Sequence, residues 1–128
     1  MAKPDQLSRR ERQIVDVLFQ LSEASAADVR DAMEDAPSYT AVRTMLRILE
    51  EKGVISHREE GRRYIYRPKG SPRRAGQTAL QRVLRVFFGG SLEDALAAHL
   101  SDAKTKLSGD EIDRLRKIID QAEQEKQS

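Results

Sequence analysis

Cysteine is absent from all 128 residues. A chain without it has no disulfide framework, no thiolate zinc site and no cysteine nucleophile. Aromatic residues are only 5%, and no ligand pocket is visible in the pattern. Long apolar runs are missing too: none exceeds five residues even when glycine is counted, which excludes a membrane-spanning helix. The opening MAKPDQLSRRERQ lacks the apolar segment of a secretory signal. The expectation is a soluble, cytoplasmic protein that touches no membrane.

Catalytic furniture is equally sparse. His57 and His99 are lone histidines in different elements, read as surface or packing residues before catalysts or metal ligands. The acidic residues fall on helix caps and exposed faces without a convergent pair. Gly89-Gly90 follows a helix where a phosphate-binding loop would open one. The chain therefore reads as a non-enzyme, with no cofactor and no metal site.

Charge is what the sequence has in plenty, 34% against about 25% in an ordinary soluble domain. The net value of +2 says little, but its distribution says more. Between Arg58 and Arg74 seven basic residues face two acids, a local +5, whereas Ala24 to Pro37 carries a local −3. Positive charge gathered into one interval points to a localised anion-binding surface. The punctuation Pro68-Lys69-Gly70-Ser71-Pro72 reads as a linker, dividing the chain into segments 1–70 and 71–128. A helical unit as small as the second is marginal alone and needs a partner surface.

Four helix starts share one pattern, a Ser with an acid three residues on: Ser8/Glu11, Ser25/Asp28, Ser91/Asp94 and Ser108/Glu111. The Glu pairs match the capping box, and the Asp pairs are its shorter-armed relatives. A first helix runs from Ser8 to about Ser22, with Ile14, Val17, Leu18 and Leu21 on one face. A short second one, about Ala26 to Glu34, buries Val29 and Met33. After Pro37, Ser38 caps a third that continues to Lys52 before Gly53 stops it. Two β-like runs follow, Val54–Arg58 and Tyr64–Arg67, joined by a turn at 59–63 that uses Gly61. Three more helices are expected at about Gly76–Phe88, Leu92–Leu100 and Gly109–Glu125. Three helices and a hairpin, in that order, describe a mainly α winged helix-turn-helix domain. The segment after it is a three-helix module.

The third helix, 38–52, divides into two stripes. Val42, Met45, Leu46 and Leu49 must face a core, while Thr40, Arg43, Thr44 and Arg47 repeat the same spacing on another side. A DNA-reading helix needs this division, because Arg donates twice to guanine and Thr meets a thymine methyl or a phosphate. Ser38 stands at its mouth. Arg62 and Arg63 beside the hairpin turn are long cations that reach phosphates or a minor groove. Tyr64 and Tyr66 share one strand face and are expected mainly to pack the core. Arg58 and Arg67 are candidates for pairing with acids.

The segment SYTAVRTMLRILEEKGVISHREEGRRYIYRP resembles the recognition helix and wing of the BlaI/MecI/CopY-type repressors. LSRRERQIVDVLF is similar to that family's first helix, and FFGGSLEDAL with LSGDEIDRLRKIID to its dimerisation module. The resemblance spans about Leu7 to Glu123. It implies a homodimer that binds an inverted-repeat operator, often built on TACA/TGTA half-sites, with helix 38–52 in the major groove and the wing at 59–63 on the backbone. It also implies a sensor-protease as inactivating partner. The family's cleaved Asn-Phe bond is replaced here by Ala98-His99, and the cysteine metal cluster of copper-responsive members is missing. DNA binding carries over; the inducing signal does not.

The dimer also follows from apolar surface. The fourth helix offers Leu80, Val83, Leu84, Phe87 and Phe88. The fifth adds Leu92, Leu96 and Leu100, and the sixth Leu115, Ile118 and Ile119. So short a segment cannot enclose all of these without a twofold partner. Two other readings compete: a winged helix used as a protein-docking module, which asks for an acidic or apolar outer face on the third helix, and a ligand-sensing regulator of the MarR type.

Overall fold

The computed structural model describes residues 6–127, so the outer limits 1 and 128 of the two sequence segments lie outside the described residues. The element order is α1 (Arg9–Leu21), α2 (Ala26–Ala32), α3 (Tyr39–Glu51), β1 (Ile55–Glu60), β2 (Arg63–Pro68), α4 (Pro72–Phe88), α5 (Leu92–Leu100) and α6 (Gly109–Gln127). One compact unit ends at Gly76 and a second begins at Gln77. The first is a winged helix with a two-stranded wing, in agreement with the element order expected from the sequence.

Serine caps define the helix starts. Ser8 and Ser25 both complete reciprocal boxes with Glu11 and Asp28, so the shorter Asp still reaches back to the cap N–H. Ser91 and Ser108 accept from the N–H groups of Asp94 and Glu111, and Ser38 from that of Ala41. A sixth cap lies inside the expected linker. Ser71 accepts from the Arg74 N–H at 3.0 Å and Pro72 opens α4, so this helix starts four residues earlier than Gly76. Proline suits the first helical position, where its missing N–H would have had no helical partner.

The core of the first unit joins Ile14 and Leu18 of α1, Val29 of α2, Leu46 and Leu49 of α3, and Ile55 of β1, each fully buried. Burying each such side chain contributes about 1.5–3 kcal/mol. Leu21 does not belong to it: at 43% exposure it lies at the end of α1, past the reach of the core. Val15 takes a buried place instead. Met45 lies at the core's margin, half-buried.

The hairpin is longer, and its turn tighter, than the sequence suggests. Glu60 pairs with Arg63, so only Gly61 and Arg62 form the loop. Positive φ occurs at Gly61 (66°) and not at Arg62, the requirement of a type II′ turn. Ala24, between α1 and α2, exchanges two backbone hydrogen bonds with Tyr66, at 2.9 and 2.8 Å. This isolated bridge ties the wing to the helices, a link that no sequence pattern indicates.

A second tie is electrostatic. Glu11, buried at the start of α1, accepts from Lys52 Nζ through both carboxylate oxygens at 3.0 Å, joining α1 to the end of α3. Burial alone would raise its pKa, but hydrogen bonds from Ser8 and the Lys52 charge outweigh this and hold it below the ordinary 4.5. A depressed carboxylate contributes stability that is present above its unfolded value and lost as pH falls through the folded one. Glu11→Ala is therefore expected to cost about 1–2 kcal/mol at pH 7. Thermal melts should show the difference from wild type shrinking below pH 4.5; a constant difference down to pH 3 would contradict the charge's role.

Candidate nucleic-acid interface

α3 carries its two stripes as its spacing demands. Val42, Leu46 and Leu49 are buried, while Thr40, Arg43, Thr44 and Arg47 are all exposed. Loop 34–37 sets where the helix begins. Arg10 donates to the carbonyls of Glu34 and Asp35 at 3.2 and 2.6 Å, and Arg30 donates to that of Pro37 at 2.9 Å. Asp35, with φ of 50°, takes the left-handed conformation that Asp tolerates better than most residues. Ser38 then caps α3 with its side chain, so its hydroxyl acts first on the helix itself.

The exposed stripe forms one wall of an open groove of about 630 Å³; the hairpin forms the other. Along α3 the lining runs Tyr39, Thr40, Arg43, Thr44, Arg47, Glu50 and Glu51. From the strands come His57, Tyr64 and Tyr66. The cations are not equivalent. Arg47 pairs with Glu51 at 3.5 Å, both side chains being about two-thirds exposed. The Arg43 side chain has no hydrogen bond or ion pair among the described residues, and its guanidinium lies 5.9 Å from the Tyr39 ring centre.

The far wall is aromatic. His57 stacks on Tyr64 with ring centres 4.1 Å apart and planes 15° from parallel, and its Nδ1 meets the Glu50 carboxylate. Tyr66 is buried, and burial pushes its phenol upward, with Glu50 adding to the effect. Tyr64 departs from the expected core role: it is 41% exposed, because the groove opens along its ring. The grouping of His57, Glu50 and Tyr64 is absent from the sequence reading. The spacing of His57 and Tyr64 hides a diagonal cross-strand neighbour that exists only in this register.

At the tip, Arg62 lies in the turn and Arg63 opens β2, both exposed. Arg58 is committed elsewhere. It bonds Glu23 at 2.6 and 3.1 Å and Glu60 at 2.8 Å, and this bonding lowers the pKa of Glu23. Among the described residues no three His, Cys, Asp or Glu side chains gather as a metal ion would require. No helix there is long and apolar enough to cross a membrane.

In the second unit, Leu84 is the buried residue of α4, and α5 and α6 contain none. Phe88 and Leu115 are half-buried. Leu80, Phe87, Leu92, Leu96, Leu100, Ile118 and Ile119 are exposed, Phe87 most of all at 74%.

The family model described as Penicillinase repressor matches residues 7–121. The penicillinase repressor of Bacillus licheniformis is 26% identical over 123 residues, covering 94% of each chain. The solution structure of the DNA binding domain of the repressor BlaI is 28% identical, covering 56% of this chain and 90% of that one with a TM-score of 0.48. A complex structure of hsRosR-S1, 16% identical, covers 94% of this chain and 96% of its own with a TM-score of 0.56, a likeness of fold.

Proposed function

Because the chain belongs to the penicillinase repressor family, whose members are DNA-binding transcriptional repressors and not enzymes, we propose that it binds an inverted-repeat operator as a homodimer. α3 enters the major groove, and the hairpin tip lies along the backbone. The carrying observation is the division of α3: one stripe anchored in the core, the other exposed as Thr40, Arg43, Thr44 and Arg47. Arg supplies paired donors to guanine and Thr the smaller contacts. A docking module would ask for an acidic or apolar face here, and this face presents two guanidiniums.

A twofold partner makes the exposed apolar side chains of α4, α5 and α6 its interface, and matches protein symmetry to operator symmetry. A role on operator DNA puts the protein in the cytoplasm. A sensor-protease partner would have to cut a bond other than Asn-Phe, since Ala98-His99 stands in that place on α5.

Nuclease protection on the DNA upstream of the chain's own gene tests this reading. Two symmetric half-sites centred about 10 base pairs apart, or a multiple of it, are expected. Protection of a single unsymmetric site, or of none while bulk DNA is bound, would overturn it.

The wing contributes differently. Arg62 and Arg63 contact phosphates, so replacing either with Ala should weaken specific and nonspecific DNA to the same extent. Removing one phosphate-bound cation lowers the slope of log affinity against log salt by about 1. An effect confined to one base position would instead make the wing a sequence reader.

A further inference from the structure

Two guanidiniums project into the groove, and they are held by opposite means. Arg47 is drawn to a carboxylate, Glu51. Arg43 lies near the ring of Tyr39, one helical turn earlier, with the guanidinium carbon 5.9 Å from the ring centre. The two residues are separated by four positions, so they are neighbours on one face of α3. Tyr39 is 46% exposed and stands beside the cap residue Ser38, where loop 34–37 is pinned by Arg10 and Arg30. Its backbone is thus set by the same contacts that start the helix.

From this geometry we propose that Tyr39 is a positioning residue for Arg43, holding the guanidinium ready to read a base. The inference rests on the reading of α3 as the DNA-recognition helix. An arginine stacks through its flat face, whereas guanine recognition uses the N–H groups along its edge. The two interactions therefore coexist on one side chain. A free arginine loses rotamer freedom when it binds, and one already restrained by an aromatic ring loses less. The ring also draws the charge by cation–π attraction, which strengthens when water leaves the interface. An acid partner such as Glu51 acts otherwise, because it competes for the edge donors that a base would need. Arg43 has no such competitor among the described residues.

The test is a double-mutant cycle on the DNA fragment protected by the wild type, with Tyr39→Phe as the conservative variant. Tyr39→Ala should weaken specific binding about three- to tenfold and leave nonspecific affinity unchanged. Tyr39→Phe should stay within about twofold, since the ring supplies the cation–π attraction. In an Arg43→Ala background, Tyr39→Ala should have no further effect. Additive losses would mean that Tyr39 touches DNA independently and would overturn the proposal. So would a Phe variant as weak as the Ala variant, or an equal loss on nonspecific DNA. If Arg43→Ala alone changes nothing, Arg43 reads no base and the proposal for Tyr39 falls; if Arg47→Ala is silent as well, the reading of α3 falls with it.

Discussion

Phe87→Asp is expected to turn the protein into a monomer and to weaken operator binding by about 10²–10⁴-fold. That is the factor at stake when two linked binding modules become independent. Phe87 is 74% exposed on α4, and Leu92, Ile118 and Ile119 are exposed by more than 60% on the other two helices. Large apolar side chains left in water on all three helices are what the proposed dimer would bury. A carboxylate at position 87 would be desolvated without a partner in the proposed dimer, yet would cost the monomer almost nothing. Leu84→Asp is a poorer probe, because Leu84 is buried within the chain and the change would disturb the fold as well. Sedimentation equilibrium and gel-shift titration of the same samples decide the matter. A wild-type monomer at micromolar concentration with full operator affinity would refute the dimer, and an intact Phe87→Asp dimer would move its interface elsewhere.

Arg43→Ala should cost about 1–3 kcal/mol of specific binding if the side chain makes a two-pronged base contact. The effect should be concentrated at one base pair of each half-site. Arg47→Ala should cost less. In the proposed complex Arg47 would exchange its ion pair with Glu51 for a DNA contact, although an exposed pair of this kind offsets at most about 1 kcal/mol. Competition gel shifts with operators altered one base pair at a time would measure both. Specific affinity unaffected by either change would show that α3 does not read the operator.

Periodicity and capping chemistry make most of the fold legible in the sequence. Each serine cap is a local arrangement between one hydroxyl and an N–H three residues away, so Ser8, Ser25, Ser38, Ser91 and Ser108 announce their helices without reference to distant residues. The stripes of α3 follow from helical geometry alone, and Gly61 marks its turn through its positive φ. Ser71-Pro72 reads as linker in the sequence and is a helix start in the fold for a related reason. Pro and Gly punctuate linkers and helix starts alike, and only the hydrogen bond from the Arg74 N–H separates the two.

What joins distant segments lies outside that local grammar. The Glu11–Lys52 pair spans 41 residues, and the Ala24–Tyr66 bridge joins the wing to the segment between α1 and α2. Neither residue type nor spacing encodes which strangers meet. The wall formed by His57, Tyr64 and Glu50 depends on a hairpin register and on α3 packing beside it. Exposure is decided the same way. A 3.6-residue repeat puts Leu21 on the face with Ile14, Val17 and Leu18, and Leu84 on that with Phe87. Which member of each stripe finds neighbours depends on the surfaces that tertiary packing brings opposite it: α1 outruns its core at Leu21, and in α4 Leu84 is buried while Phe87, three residues on, stands in water.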